Sequence, residues 1–77
     1  MSDPLIDLFA DVLEVNAETL NDDSTPESVG AWDSLAAMHL VAAIEDTFKC
    51  QLSTKEIMKM SSIGLARKAL KDKGIEV

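Results

Sequence analysis

The stretch Trp32-Asp33-Ser34-Leu35 places a carboxylate beside a hydroxyl where a long acidic segment gives way to an apolar-periodic one. A serine at the start of a helix lies beside unpaired backbone N–H groups and the positive end of the helix dipole, and both favour a phosphate attached nearby. Ser34 is therefore a candidate anchor for a phosphodiester. The alternative is that Asp33 or Ser34 only caps the helix, because both residue types accept bonds from the first N–H groups.

Catalysis by Ser34 itself would need a general base within reach. The single histidine, His39, lies on the same apolar-periodic segment but about 140° around a helix from Ser34. The single cysteine, Cys50, has no cationic residue predictably placed to lower its pKa, so we expect a chemically quiet thiol. We therefore predict that the chain is not an enzyme and has no catalytic residues. Asp33 could still assist an external enzyme by binding its metal or basic groups.

The composition is typical of a small helical bundle. A chain of 77 residues forms one domain and buries about 60 to 65% of its unfolded surface. With 47% apolar residues, two Phe and one Trp, the core must come from Leu, Ile, Val, Met and Ala. One cysteine excludes an intramolecular disulfide, and one histidine leaves no credible set of metal ligands, so we predict no metal site.

The formal net charge is −7, from 14 acidic and seven basic residues. This charge repels nucleic acid phosphates, so we expect no nucleic acid partner and instead proteins with basic patches. Residues 1–4 lack the basic segment of a secretory signal, and no apolar run approaches membrane-spanning length. We therefore expect a cytoplasmic monomer that does not insert into membranes.

Apolar periodicity predicts a first helix over residues 4–14, with Ser2 or Asp3 as its cap and Pro4 in its first turn. The apolar periodicity then ends, and a long, partly ordered loop follows. We interpret its acidic residues as a solvated charge run. Long loops in compact domains are often functional, so it is informative that this loop leads directly to Ser34. Its isolated apolar anchors are Leu20, Val29 and Trp32.

A second helix is predicted over residues 34–48, with two apolar stripes. The stripe that faces the core consists of Ala37, Leu40, Val41, Ile44 and Phe48. The other stripe lies well over 90° away on the helical wheel, so we expect it to be exposed beside Ser34 and to form a protein-docking surface. The alternative is that the loop or a third helix covers it. The predicted docking residues are Leu35, Met38 and Ala42, with Asp33, Glu45 and Asp46 at the rim.

Two further helices follow. A capping box of Ser53 and Glu56 opens a short third helix that extends to about Met60, and Ser61-Ser62 offers a cap for a fourth helix that Gly74 ends. The third helix is expected to pack through Ile57, Met58 and Met60. The basic residues expected near the negative end of the fourth helix are Arg67, Lys68, Lys71 and Lys73. We predict an all-α fold, a small four-helix bundle with three main helices, one short helix and a long first loop, forming a single domain over residues 1–77.

From Asp33 onward the sequence resembles the acyl carrier protein family, in which Asp-Ser-Leu opens the second helix and the serine carries 4'-phosphopantetheine. The family's pattern is matched at the family's spacing by Asp33-Ser34-Leu35, Leu40-Val41, Ala43, Glu45, Phe48, Lys59 and Ser61-Ser62-Ile63. The resemblance covers essentially the whole chain. It implies that a separate, magnesium-dependent phosphopantetheinyl transferase attaches the arm from coenzyme A to Ser34, and that the arm's thiol then holds acyl groups as thioesters for acyl-loading and acyl-processing enzymes.

The chain also departs from the family's pattern. Ala31 stands where a glycine is frequent, with Gly30 one place earlier, and Trp32 directly precedes Asp33. Ala36 and His39 stand where carriers of bacterial fatty acid synthesis usually present carboxylates. The resemblance implies fatty acid, polyketide or another specialised biosynthesis, and these departures favour a specialised pathway.

Two alternatives stay open. An aminoacyl or peptidyl carrier would use the same serine and arm with different loading enzymes. An unmodified helical adaptor would instead bind a partner through Leu35, Met38 and Ala42, with Asp33-Ser34 acting only as a cap.

Overall fold

A computed structural model describes residues 3–77, which form four α-helices and no strand. The helices are α1 (Pro4–Leu13), α2 (Ser34–Phe48), α3 (Thr54–Lys59) and α4 (Ile63–Asp72). The predicted all-α bundle of three main helices and one short helix is therefore confirmed. Within the described residues, no helix is long and apolar enough to cross a membrane.

A side-chain cap and a left-handed residue set the two ends of the first helix. Asp3 caps it, because Asp3 Oδ1 accepts the N–H groups of Leu5 at 3.1 Å and Ile6 at 3.3 Å. Ser2, the other predicted cap, lies outside the described residues. The helix ends at Leu13, one residue earlier than predicted, because Glu14 turns into the left-handed region with φ 57°.

The core lies where α1, α2 and α4 meet. The largest fully buried side chains are Leu5 and Phe9 of α1, Leu40 and Ile44 of α2, and Ile63 and Leu70 of α4. The predicted core stripe of α2 is confirmed, since its other members, Ala37, Val41 and Phe48, are half-buried and pack against this cluster. α2 therefore has one buried side, and its opposite side is left for solvent.

The loop between α1 and α2 is more ordered than the sequence predicted. Residues Ala17–Thr19 form a short 3₁₀ helix, and Asn16 Oδ1 caps it by accepting the Glu18 N–H at 3.0 Å. Leu20 and Trp32 are buried, and Val29 is half-buried, so all three predicted anchors contact the core. The Trp32 ring packs edge-on against Phe9 with 5.2 Å between ring centroids. The loop is thus fixed to α1 immediately before α2 begins.

Part of the loop is bound to α4 through its backbone, whereas its acidic side chains are exposed, in agreement with the interpretation as a solvated charge run. The Gly64 N–H donates to the Asp22 carbonyl at 2.9 Å, and the Ile63 N–H donates to the Ser24 carbonyl at 3.1 Å. A Cβ on Gly64 would lie 3.0 Å from the same Asp22 oxygen, so a larger residue here would have to displace the loop by a few tenths of an ångström. Ser24 is buried, and its hydroxyl accepts the Asn21 N–H at 3.0 Å.

Arg67 was predicted to support the negative end of α4 but instead joins three parts of the chain. Its Nη2 lies 2.6 Å from Asp3 Oδ2 and 2.9 Å from Asp22 Oδ1. The hydrogen bond from Arg67 holds the pKa of Asp3 below its ordinary value, although partial burial works against it. We call these three residues the Arg67 clasp, because they link the start of α1, the loop and α4.

We expect acid to weaken the Arg67 clasp. The pKa of Asp3 is lower in the folded chain than in the unfolded chain, so its stabilisation is present above the unfolded value, about pH 3.9, and is lost as pH falls through the lower folded value. Asp3→Asn keeps a capping side chain but removes the charge. In urea melts at pH 7, the native chain should be more stable than Asp3→Asn by about 1 kcal/mol or less, because the ion pair is partly exposed. This difference in the free energy of unfolding should disappear as the pH is lowered to 2. A difference that does not change with pH would contradict this prediction.

The short helix α3 is held by its cap and by α4. The predicted capping box is confirmed: the Glu56 N–H donates to Ser53 Oγ at 3.2 Å and the Ser53 N–H donates to Glu56 Oε1 at 2.9 Å. Glu56 Oε2 also lies 2.9 Å from Lys73 Nζ. The expectation that Met58 packs inward was wrong, since it is 77% exposed. A helix of six residues has room for only one small inward face, which Ile57 occupies in part. Met60, directly after the helix, packs against the core.

Candidate functional site

Ser34 is the first residue of α2 and is exposed. The preceding residue, Asp33, is the cap: its backbone is extended and its Oδ1 accepts the Ala36 N–H at 2.9 Å. The capping bond therefore uses the Asp33 carboxylate and leaves the Ser34 hydroxyl outside it. The cap of α2 is therefore Asp33, and the Ser34 side chain takes no part in it.

Tight turns position Ser34 from the N-terminal side. The Trp32 N–H donates to the Val29 carbonyl at 2.9 Å, and the Asp33 N–H donates to the Ala31 carbonyl at 3.1 Å. Trp32 is buried, whereas Asp33 and Ser34 are exposed, so the chain passes from core to surface over one peptide bond. The exposed hydroxyl consequently lies next to a fixed anchor. In the sequence, Trp32 departs from the family's pattern, and here it supplies that anchor.

The second apolar stripe of α2 is exposed, as predicted. Leu35 is 63% and Met38 70% exposed, and Ala42 is exposed as well. Neither the loop nor α3 covers these three residues, which we call the α2 strip. Exposed apolar side chains grouped on one helix face are typical of protein-docking surfaces. Met58 of α3 is a further exposed apolar side chain that sequence reasoning missed, because it was assigned to the core.

The predicted rim carboxylates differ in their surroundings. Asp33 is exposed, and Asp46 is exposed with Lys49 Nζ 4.0 Å away. Glu45 is half-buried, and its Oε2 accepts the Leu52 N–H at 2.8 Å. The Glu45 side chain therefore holds the connection between α2 and α3. No local sequence signal indicates this bond, because the two residues lie in different segments.

The interior next to α2 has little free space. A crevice of about 30 Å³ lies between α1, α2 and α3. Its lining residues are Phe9, Trp32, Ala37, Leu40, Val41, Ile57 and Met60. A crevice of this volume has room for only a water molecule or two.

Asp33 and His39 are the titratable residues closest to Ser34 in the sequence. His39 is exposed on α2. Within residues 3–77, no group of three or more His, Cys, Asp and Glu could hold a metal ion. An exposed hydroxyl at a helix N-terminus can, however, accept a group that another enzyme delivers.

We expect Cys50 to react slowly in the native protein. Burial raises the pKa of its thiol, the nearby Lys73 lowers it, and Glu45 and Glu56 raise it further, so that the net pKa lies above the ordinary value. At pH 7.5, a thiol-reactive dye should label the native chain more slowly than the same chain in urea. Equal rates in both conditions would show that the fold does not protect this thiol.

Two comparisons with known proteins bear on this arrangement. A search of curated proteins finds none that matches the chain. The model of the family described as phosphopantetheine attachment site matches residues 3–66, which include α1, the loop, α2, α3 and the start of α4. Members carry covalently attached 4'-phosphopantetheine and are generally non-catalytic, which disfavours the unmodified adaptor. With most of its length matched, this chain belongs to the family of phosphopantetheine-carrying carrier proteins.

Proposed function

We propose that the chain is an acyl carrier, acting as a single domain over residues 1–77, in which Ser34 carries the 4'-phosphopantetheine arm. The observation that carries this proposal is the division of roles at the start of α2, where Asp33 forms the cap and Ser34 is exposed. A phosphate on Ser34 would lie beside the first N–H groups of α2 and the positive end of its dipole. The residues at this position therefore fit the group.

Attachment requires an external enzyme. Carrier domains of this family interact with phosphopantetheinyl transferases and with biosynthetic enzymes. The Ser34 oxygen forms a P–O bond to the phosphorus on the pantetheine side of coenzyme A and loses its proton. The P–O bond that joins this phosphorus to the nucleotide's phosphate breaks, and the nucleotide phosphate leaves with that oxygen. His39 projects about 140° around α2 from Ser34, so we assign the removal of the proton to the transferase. The attached arm supplies a thiol that holds acyl groups as thioesters.

The α2 strip is proposed as the docking surface for these enzymes. Leu35 and Met38 form its exposed apolar centre, and Asp33, Asp46 and the half-buried Glu45 are proposed as its rim. Ala36 and His39 contribute no carboxylate. Complementary charge chiefly raises the association rate, while rim ion pairs contribute about 0 to 1 kcal/mol each. We therefore propose a partner surface that is more apolar and less basic than one that serves a strongly acidic carrier.

The substrate class and the partner type can be tested together. The chain is first converted to its phosphopantetheine form with a promiscuous transferase and then offered malonyl groups by a fatty acid synthesis transacylase. We expect slow loading of the native chain and, at low salt, faster loading of Ala36→Asp/His39→Glu. Adding two carboxylates elsewhere, in Gln51→Glu/Ser61→Glu, should leave the rate close to native, since both positions are exposed and lie outside the α2 strip.

Two outcomes would change the assignment. If the native chain loads as fast as an ordinary fatty acid carrier, or the added carboxylates on α2 bring no gain, the specialised partner is excluded. If the modified chain accepts amino acids from an adenylating enzyme and accepts no acyl groups, the aminoacyl or peptidyl carrier replaces the acyl carrier. In each of these cases the attached arm itself is unaffected.

A further inference from the structure

The charges of this chain are strongly separated along the sequence. Its first 48 residues hold eleven of the 14 acidic residues and none of the seven Lys and Arg. The part after Phe48 holds all seven basic residues and only three acidic ones, Glu56, Asp72 and Glu76. α1, the loop and α2 are therefore the acidic half of the fold, and α3 and α4 are the basic half. The net charge of −7 alone does not show this separation of charge.

The basic half contains a groove of about 330 Å³ between α3 and α4. The groove is lined by Glu56 and Lys59 of α3 and by Leu65, Lys68, Ala69 and Asp72 of α4. The four α4 residues share one face of the helix, because their spacing is i, i+3, i+4 and i+7. Leu65 is 44% exposed and Ala69 is half-buried, so the two side chains form an apolar floor that faces solvent.

With the Lys73 that pairs with Glu56 included, the charged groups around this floor are three lysines and two carboxylates. Glu56 is already neutralised, since its Oε2 lies 2.9 Å from Lys73 Nζ and its Oε1 accepts the Ser53 N–H at 2.9 Å. Lys59 and Lys68 are exposed, and among the described residues neither forms an ion pair. Asp72 is the remaining carboxylate in the lining. The groove thus combines an apolar floor with two lysines whose charges have no partner in residues 3–77.

We propose that this α3–α4 groove is a second docking surface, which binds an acidic amphipathic segment of a partner protein. Apolar side chains of that segment contact Leu65 and Ala69, and its carboxylates pair with Lys59 and Lys68. The charge separation orients the encounter, because the acidic half repels such a segment and the basic half attracts it. The groove shares no lining residue with the α2 strip. A partner bound there leaves Ser34 and the α2 strip available to a second enzyme.

The proposal is tested with a synthetic amphipathic helical peptide of Leu and Glu, titrated into the full-length, ¹⁵N-labelled protein at low salt. The largest amide shifts are expected at Leu65, Lys68 and Ala69. A peptide with Lys in place of each Glu should not shift these amides. No binding of the Glu peptide, or binding centred on Leu35 and Met38, overturns the proposal.

Matched variants separate a site from a general effect of charge. Lys59→Glu/Lys68→Glu reverses the two lysines of the groove and should weaken binding about tenfold. Lys55→Glu/Lys71→Glu makes the same change of net charge on the same two helices at exposed positions outside the lining, and should weaken binding less than about twofold. Equal weakening by both pairs overturns the proposal.

Two further measurements distinguish the occupant and keep the two proposals separate. If sedimentation shows self-association of the native chain that Lys59→Glu/Lys68→Glu abolishes, the groove binds a second copy and the partner segment is excluded. Both double variants should accept phosphopantetheine as the native chain does, because their substitutions lie outside α2. If the groove does not bind the peptide but the chain is modified normally, only this inference is overturned. If the native chain is not modified, the proposed function is overturned.

Discussion

Ser34→Ala should abolish attachment of phosphopantetheine and leave the fold intact. The substitution removes the hydroxyl proposed to form the P–O bond. The helix keeps its cap, because the Ala36 N–H donates to Asp33, not to Ser34. Alanine is also the best helix former, so α2 should be no less stable. Intact mass after incubation with coenzyme A and a promiscuous transferase should increase by one arm for the native chain and stay unchanged for Ser34→Ala, with equal circular dichroism.

Other serines provide the controls for this experiment. Ser61→Ala removes an exposed hydroxyl outside the helix starts and should be modified like the native chain. Ser24 is buried, and Ser62 is the cap of α4, whose Oγ accepts the Leu65 N–H at 3.1 Å. Neither hydroxyl is presented as Ser34 is. A mass gain in Ser34→Ala, or an arm mapped to Ser24 or Ser62 in a digest, would remove Ser34 as the attachment site.

Leu40→Ala and Ile44→Ala should each destabilise the protein by about 2 to 5 kcal/mol, because each leaves a cavity in a close-packed core. Leu40 is 2% and Ile44 0% exposed. Total stabilities of small proteins are about 5 to 15 kcal/mol, so either change leaves little margin. Urea melts followed by circular dichroism measure the loss.

Leu35→Ala is the matched control, since it makes the same truncation on the same helix at a side chain that is 63% exposed. Surface substitutions usually change stability by about 0.5 kcal/mol or less. A variant of Leu40 or Ile44 that is already unfolded without urea agrees with the prediction. Equal losses at Leu35 and Leu40 would contradict the assignment of the two faces of α2.

The elements around Ser34 could be predicted because their signals are local. Asp33 and the apolar spacing mark the start of α2, and the helical wheel separates Leu40 from Leu35. The capping box at Ser53 marks α3 in the same way, and Gly74, with φ 87°, ends α4 as predicted. Each signal acts between residues no more than a helical turn or two apart, so it can be seen without the fold.

The features that the sequence did not reveal depend on distant residues or on unusual backbone. Arg67 contacts Asp3 across 64 positions of sequence and Asp22 across 45, and nothing near Arg67 indicates either partner. Glu45 was read as a rim carboxylate, although the turn after α2 brings the Leu52 N–H to it. Glu14 adopts a positive φ without being glycine, so no glycine marks the end of α1, which ends one residue earlier than predicted.

The burial of Trp32 against Phe9 gives the protein an optical reporter. The chain has one tryptophan and no tyrosine, so its fluorescence comes almost entirely from a single indole beside Ser34. Fluorescence emission therefore reports whether the loop is still packed against α1, whereas far-ultraviolet circular dichroism reports the helix content. Comparing the two signals during unfolding separates detachment of the loop from melting of the bundle without any introduced label.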